Sequence, residues 1–171
     1  VGLVWCYRWR LDPTNSIESL RVTIYADGAA SGNPGPGGYG VVLESSAGHQ
    51  KELSGGFRLT TNNRMELLAV IQGLRELKSD KAEVVVVSDS KYVVDAINKG
   101  WLYSWVKKGF KDKKNPDLWR QILPLLKKYN PTFQWVKGHN NHPQNERCDA
   151  LAVIESKKKG LPVDSGYEQS L

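Results

Sequence analysis

The sequence predicts an α/β fold built on a mixed five-stranded sheet flanked by helices, and three patterns support this prediction. Residues 22–27 alternate between apolar and polar side chains, as in a strand with one buried face. Residues 83–89 are apolar without alternation and rich in β-branched side chains, as in a strand that is buried on both faces. Apolar residues at helical spacing lie between these strands and again after the second strand. A strand that is entered from one helix and left by another should run parallel to a neighbour.

Three strands in an antiparallel meander open the domain. The run GNPGPGG at 32–38 is rich in chain breakers and predicts a turn after the first strand. The segments GYGVVLES and HQKELSGGF then continue as two further strands. A helix over about 62–78 follows, with Thr60 or Thr61 as its cap and leucines at helical spacing.

The second half of the chain completes the α/β pattern. After the buried strand we expect three helices and a short strand, at about 91–98, 101–108, 117–128 and 132–136. A last helix begins near Pro143, because proline suits the first position of a helix. The sheet is therefore expected to combine the meander with parallel strands.

Composition indicates one ordinary globular domain. The chain has 171 residues, of which 40% are hydrophobic and 25% charged, and no apolar run approaches the length of a membrane span. Its two cysteines, Cys6 and Cys148, cannot form a disulfide framework, which favours a cytoplasmic protein, and no signal peptide is evident. We expect a leader of unknown role at 1–20, a domain at 21–156, and a flexible tail at 157–171.

Positive charge is concentrated in one segment. Residues 99–114 carry six lysines against Asp112 and so hold +5 of the net charge of +6. Trp101, Trp105 and Phe110 are interleaved with these lysines, a pattern that favours nucleic-acid binding through base stacking and phosphate contacts. The alternative is a solvated lysine loop in which the two tryptophans simply pack one helix face.

Three acidic residues are candidates for a shared site. Asp27 and Asp89 each end a predicted strand, and parallel neighbours would place their side chains side by side. Taken singly, each has an ordinary alternative, a turn start for Asp27 and a helix cap for Asp89. Glu66 lies early in a helix beside the face that should be buried, where a carboxylate is costly without a partner.

The last helix adds a polar face to these candidates. His142, Asn145 and Asp149 are spaced three and four residues apart and therefore share one helical face. For His142 a helix cap without a catalytic task is the ordinary alternative. Four converging carboxylates would repel one another without cations, and oxygen ligands in that number suit Mg²⁺ or Mn²⁺ rather than Zn²⁺.

Six segments resemble, in order, the motifs of type 1 ribonuclease H. They cover about residues 22–155 and read YADGAASGNPGPGGYG, TTNNRMELLAV, VVVVSDSKYVVDAI, WLYSWVKKGFK, NPDLW and WVKGHNNHPQNERCDALA. The resemblance implies the ribonuclease H-like fold and a two-metal endonuclease that cleaves the RNA strand of RNA–DNA hybrids, leaving 3′-hydroxyl and 5′-phosphate ends. It also implies a mobile active-site histidine, His142, and four metal-binding carboxylates, Asp27, Glu66, Asp89 and Asp149.

The resemblance further implies contacts with both strands of a hybrid. Asn33, Asn62 and Asn63 match positions that read the RNA 2′-hydroxyl, although asparagine is also common in turns and caps. Asn145 is a further candidate for substrate binding. For the DNA strand, the family has an aromatic platform, which matches Tyr92, Trp101 and Trp105 here. It also has a phosphate pocket, which matches Thr61 and Asn115. Its basic protrusion corresponds to about residues 99–117, with Lys107, Lys108 and Lys111.

Two departures from the family pattern lie near the phosphate pocket. Leu59 stands where many members carry Arg, while Arg58 comes one place earlier. The stretch between Lys111 and Asp117 is shorter than in many relatives, so the tip of the protrusion should be trimmed. Both departures concern residues expected to bind the hybrid, and neither concerns the carboxylates.

Three functions compete for these residues. The first is an active, monomeric ribonuclease H; the second is a non-catalytic hybrid-binding module; the third is a related metal-dependent DNA nuclease or transferase. The retained carboxylates argue against the second, because buried like charges are costly without a metal. The asparagine set argues against the third, because DNA has no 2′-hydroxyl to read.

Overall fold

A computed structural model describes residues 20–171, and the rest of the predicted leader lies outside the described residues. The first half forms three strands and a helix: β1 Arg21–Ala30, β2 Gly35–Ser45, β3 Gln50–Thr60 and α1 Asn62–Arg75. The second half alternates strands and helices: β4 Glu83–Ser88, α2 Lys91–Asn98, α3 Trp101–Lys107, α4 Pro116–Tyr129, β5 Thr132–Trp135, α5 Pro143–Ser156 and α6 Ser165–Glu168.

The five strands form one mixed sheet in the order β3-β2-β1-β4-β5. β1 pairs antiparallel with β2, and β2 with β3, which gives the expected meander. β4 runs parallel to both β1 and β5. The predicted mixed sheet is therefore confirmed, with the buried strand 83–89 at a parallel position beside the first strand.

Helices cover both faces of this sheet, and glycines allow their close approach. On one face α1 packs against β1, where a β-carbon on Gly73 would lie 2.5 Å from a methyl of Ile24. On the other face α5 lies so close to β2 that a β-carbon on Gly40 would lie 2.2 Å from the carbonyl oxygen of Cys148. Ile24 and Met65 are fully buried in the core between sheet and α1.

Element ends differ slightly from the sequence prediction. The predicted turn at 32–38 is shorter, because β2 already begins at Gly35 and pairs with the end of β3 through a bulge between Gly35 and Gly37. The helix predicted to reach residue 78 ends at Arg75, and the chain turns there. None of the helices described within residues 20–171 is long and apolar enough to cross a bilayer.

The C-terminal segment departs most from its prediction. Instead of a frayed tail, residues beyond 160 pack along β3: the Arg58 amide donates to the Pro162 carbonyl at 2.9 Å, and the Arg58 side chain forms a two-pronged ion pair with Glu168 at 2.8 Å. Asp164 is buried and caps the short helix α6, which the sequence did not predict. The partners of this segment lie about a hundred residues earlier in the chain, so no local pattern signals its packing.

Candidate metal centre and nucleic-acid interface

Three carboxylates meet beside the parallel pair of β1 and β4: Asp27 lies in β1, Glu66 in α1, and Asp89 directly after β4. One oxygen from each of Asp27, Glu66 and Asp89 lies within 4.8 Å of the other two. Asp27 is 5% exposed, and the Glu66 oxygen Oε2 is buried without a hydrogen-bond partner among residues 20–171. Buried carboxylate oxygens that lack donors are ready ligands for a hard cation.

The sheet and one glycine bring these carboxylates together. The parallel register pairs Ala26 with Ser88, so the next residue of each chain segment is an aspartate, Asp27 or Asp89. Gly28 then lets α1 approach the strand, because a β-carbon there would lie 2.3 Å from the Glu66 backbone nitrogen. Any larger residue at position 28 would push Glu66 away from the two aspartates.

Burial and nearby negative charge raise the pKa values of Asp27 and Glu66. Desolvation, followed by the charge of Asp89, raises the pKa of Asp27 to about 7. Burial, followed by the charges of Asp27 and Asp89, raises the pKa of Glu66 well above its usual value. Without a cation, Asp27 and Glu66 therefore keep their protons to a higher pH than free carboxyl groups do.

The raised pKa values of Asp27 and Glu66 predict a pH dependence of stability in the cation-free protein. A carboxyl group with a raised folded-state pKa stabilises the fold below its unfolded pKa of about 4 and loses that contribution as pH rises through the folded value. For Asp27 that value is about 7. In EDTA we expect the free energy of unfolding to fall between about pH 4 and 8, by an amount on the order of a few kcal/mol.

Urea denaturation across that pH range measures this dependence. The Asp27→Asn variant is the matched control, because it keeps the side-chain volume and removes the titrating group. Its pH dependence should be clearly flatter than that of the wild type. Parallel curves for the two proteins would contradict the raised pKa of Asp27.

The polar face of α5 borders the carboxylates. Asn145 Nδ2 donates to Asp89 Oδ2 at 3.4 Å, while Asn145 Oδ1 is buried without a partner among the described residues. The charge of Asp149 contributes to the raised pKa of Asp27. Asp149 nevertheless lies outside the group of three carboxylates whose oxygens approach within 4.8 Å.

His142 lies at the N-cap position of α5, and its side chain makes no capping hydrogen bond. Its ring packs against Tyr25 with 5.6 Å between centroids, and its Nδ1 is buried without a partner among residues 20–171. The helix-cap alternative for this side chain is therefore not what the structure shows.

Asparagine side chains join the turn after β1 to the start of α1. Asn33 Oδ1 accepts from the Asn62 amide at 3.0 Å, and Asn62 Oδ1 accepts from the Ala30 amide at 2.5 Å. Both carboxamide oxygens are thus used within the protein, which leaves the Nδ2 donors of Asn33 and Asn62 for a ligand. Asn63 is exposed and lies at the edge of a neighbouring groove.

That groove is aromatic and basic. It has a volume of about 290 Å³ and is lined by Asn63, Tyr92, Trp101, Trp105, Asp112, Lys113 and Lys114. Trp101 is 45% exposed, with the Lys99 ammonium 5.1 Å from its ring centre, whereas Trp105 packs edge-on against the buried Trp119 at 5.5 Å. The helix-face alternative therefore describes Trp105 in part, but not Trp101.

The basic segment contains one aromatic residue that cannot stack on a base. Phe110 is 7% exposed and packs in the core with the Arg120 guanidinium 5.0 Å from its ring centre, so the prediction that Phe110 contributes to stacking is wrong. Its burial anchors the segment that presents the exposed lysines, Lys107, Lys108 and Lys111.

The two residues predicted for a phosphate pocket have clear roles in the structure. Thr61 caps α1, where its Oγ1 accepts from the Arg64 amide at 3.3 Å. Asn115 adopts a left-handed backbone with φ of 60° and contacts both Arg64 and Tyr92 through its side chain. Leu59, two residues before Thr61, is half-buried. The Arg58 side chain forms an ion pair with Glu168.

Arg64 is the residue that sequence reasoning missed. It is 3% exposed and bonds to Asn115, Asp117 and Asp164. Its spacing of three, four and seven residues from Leu67, Leu68 and Ile71 places it on the apolar face of α1. A charged residue at such a position needs buried partners, and that signal was present in the sequence.

Comparisons with known proteins agree on one family. The RNase H family model matches residues 19–157. A ribonuclease H from Desulforamulus reducens is 56% identical over an alignment of 157 residues that covers 88% of this chain and 98% of that protein.

Solved structures agree with the sequence relatives. LC9-RNase H1, a type 1 RNase H with the type 2 active-site motif, is 33% identical with a TM-score of 0.72, and the match covers 91% of this chain and 82% of that one. LC11-RNase H1 in complex with an RNA/DNA hybrid is 27% identical with a TM-score of 0.56, over 78% of this chain and 95% of that one.

Proposed function

This chain belongs to the ribonuclease H family, and from that membership we propose that it hydrolyses the RNA strand of RNA–DNA hybrids to 3′-hydroxyl and 5′-phosphate ends. The observation that carries the proposal is the cluster of Asp27, Glu66 and Asp89, in a chain that also has an exposed tryptophan and a lysine-rich segment. A cluster of this kind suits phosphodiester hydrolysis without a covalent nucleophile.

The residues present fit divalent cations, and we assign two ions, Mg²⁺ or Mn²⁺, to them. The unpartnered Glu66 Oε2 and the raised pKa values of Asp27 and Glu66 support this assignment. A bound cation would give this oxygen a partner and would stabilise the ionised form of both carboxylates. Asp27, Glu66, Asp89 and Asp149 would hold the ions. When bound, the ions supply an activated water and charge stabilisation for the attacking and leaving oxygens.

Side chains next to the carboxylates would orient the site and move a proton. Asn145 would fix the Asp89 carboxylate through its hydrogen bond and direct its free Oδ1 toward a donor on the substrate. His142 would exchange a proton with the product phosphate, since it has a free ring nitrogen and no capping role.

Discrimination between RNA and DNA would come from the asparagine set. The free Nδ2 groups of Asn33 and Asn62, with the exposed Asn63, can donate to the 2′-hydroxyl and nearby acceptors of the RNA strand. The DNA strand would lie on the aromatic groove formed by Tyr92, Trp101 and Trp105, with a phosphate at Thr61 and Asn115. Action as a monomer stays a prediction. A cytoplasmic location stays a prediction from the cysteine content.

One assay separates this function from the two alternatives. Purified protein is incubated with end-labelled RNA–DNA hybrid, duplex RNA and duplex DNA, each with Mg²⁺ or with EDTA. We expect cleavage of the hybrid alone, in the RNA strand, with Mg²⁺ alone. Binding without cleavage would favour a hybrid-binding module, and cleavage of duplex DNA would favour a DNA nuclease.

The basic protrusion should act on binding more than on turnover. Replacing Lys107, Lys108, Lys111 and Lys113 with alanine should raise KM much more than it lowers kcat, because phosphate contacts position the substrate. Each lost contact should flatten the log–log salt dependence of hybrid binding by about one unit.

A matched control tests whether net charge alone causes this effect. Four exposed lysines outside the protrusion carry the same total charge: Lys81, Lys127, Lys157 and Lys159. Replacing them should leave the salt slope nearly unchanged. Equal effects of the two quadruple variants would show that the protrusion is an ordinary solvated surface.

A further inference from the structure

Arg64 forms a saturated cluster at the junction of three chain segments. A guanidinium has five N–H donors, and here five hydrogen bonds run from Arg64 to Asp117, Asp164 and Asn115, at 2.8 to 3.3 Å. Burial lowers the pKa of Arg64, but the hydrogen bonds to Asp117 and Asp164 outweigh it and raise the pKa above its usual value. The cation is therefore fixed in one orientation.

Asp164 is the C-terminal anchor of this cluster. Its side chain is 8% exposed. Its Oδ2 accepts from Thr60 Oγ1 at 2.7 Å and Arg64 Nε at 2.8 Å, and its Oδ1 accepts from Arg64 Nη2 at 2.9 Å and the Tyr167 amide at 3.2 Å. Four hydrogen bonds fill the acceptor sites of a carboxylate, so Asp164 has no capacity for a ligand and acts through Arg64.

Asn115 receives the remaining donor of Arg64. Arg64 Nη1 donates to Asn115 Oδ1 at 3.3 Å, and Asn115 Nδ2 donates to Tyr92 OH at 3.0 Å. A flipped carboxamide would place N–H groups against the guanidinium, donor against donor. The Arg64 cation therefore selects the orientation in which Asn115 Nδ2 points away from the guanidinium. One hydrogen of this Nδ2 is used by Tyr92, and the other is left for an acceptor.

We propose that Asp164 is a positioning residue for the DNA strand, because it holds Arg64 so that Asn115 presents an N–H donor to a backbone phosphate. The inference rests on the proposed function, which places a DNA phosphate at Asn115. The C-terminal segment, outside the predicted catalytic domain at 21–156, thereby contributes to substrate affinity.

The test is a double-mutant cycle on the full chain. Asp164→Asn should raise KM for the hybrid about two- to tenfold, the worth of one hydrogen bond, with kcat nearly unchanged. Asn115→Ala should raise KM at least as much. In the Asn115→Ala background, Asp164→Asn should have no further effect on KM, because the oriented group is gone. All assays run well below the melting temperature of each variant.

A second variant disturbs the same cluster without removing a hydrogen-bonding group. A β-carbon on Gly166 would lie 2.1 Å from Asp117 Oδ2 and 2.7 Å from Arg64 Nη2, so Gly166→Ala should raise KM in the same way. The control is Glu168→Gln, which removes the exposed ion pair with Arg58 in the same segment and should keep the wild-type KM.

The outcomes separate this inference from the proposed function. Cleavage of the hybrid by the wild type decides the proposed function on its own. A wild-type KM in both Asp164→Asn and Gly166→Ala, even with a lowered melting temperature, would overturn the positioning role and leave Asp164 purely structural. Full additivity of Asp164→Asn and Asn115→Ala would overturn it as well.

Discussion

Replacing Asp27 with asparagine should abolish hydrolysis of the hybrid, lowering kcat by at least about 10³-fold in saturating Mg²⁺. Asp27 is the most buried member of the carboxylate cluster and faces both Glu66 and Asp89. The substitution keeps the volume and removes one ligand charge, so the proposed cations would no longer be held. Single-turnover cleavage of a labelled hybrid measures the loss.

The same variant should be more stable than the wild type when EDTA is present. The pKa of Asp27 is raised by burial and by the charge of Asp89, so removing this carboxylate relieves repulsion at neutral pH. We expect a higher melting temperature for Asp27→Asn in EDTA, and the same direction for Asp89→Asn. Loss of activity with gain of stability distinguishes a removed ligand from a misfolded protein.

Asp80→Asn is the control for this pair of measurements. Asp80 is exposed in the turn between α1 and β4, away from the cluster in sequence. Its replacement should change neither kcat nor the melting temperature appreciably. Near-normal cleavage by Asp27→Asn at saturating Mg²⁺ would refute the assignment of the metal centre.

The sequence predicted the sheet and helices well because their signals are local. Alternation in residues 22–27 and the β-branched run in 83–89 each follow from which faces of a strand are buried, and the parallel pair then brings Asp27 and Asp89 together. The start of α1 at Asn62, after the Thr61 cap, was predictable for the same reason.

Contacts between distant segments were not predictable from local pattern. Asp164 and Arg64 are a hundred residues apart, and nothing near Asp164 in sequence signals a buried cation. Phe110 follows a run of lysines, yet a left-handed turn with φ of 59° at this residue accompanies its burial in the core. Composition describes such a segment as polar, whereas the packing of a single side chain depends on the tertiary fold.

His142→Ala should slow turnover by about 10²- to 10⁴-fold yet leave measurable cleavage, the range expected for loss of a positioned proton carrier. The His142 ring lies against Tyr25, with Nδ1 buried and unpartnered among the described residues and no capping bond to α5. A ring held by one aromatic contact can move toward the carboxylates without breaking a hydrogen bond. Steady-state kcat for the hybrid measures the effect.

The pH–rate profile and a second histidine decide whether His142 carries a proton. His142→Ala should change the pH dependence of kcat, because the variant lacks the imidazole that exchanges a proton. His139, exposed in the same loop with φ of 53°, supplies the control, and His139→Asn should retain the wild-type rate and profile, because asparagine tolerates that backbone conformation. Full activity of His142→Ala with an unchanged profile would remove His142 from the mechanism. Complete inactivity like that of Asp27→Asn, with normal binding of metal and hybrid, would instead place His142 in the bond-breaking step itself. Water can slowly replace a proton carrier that acts on the product, but it cannot replace a group that bond breaking requires.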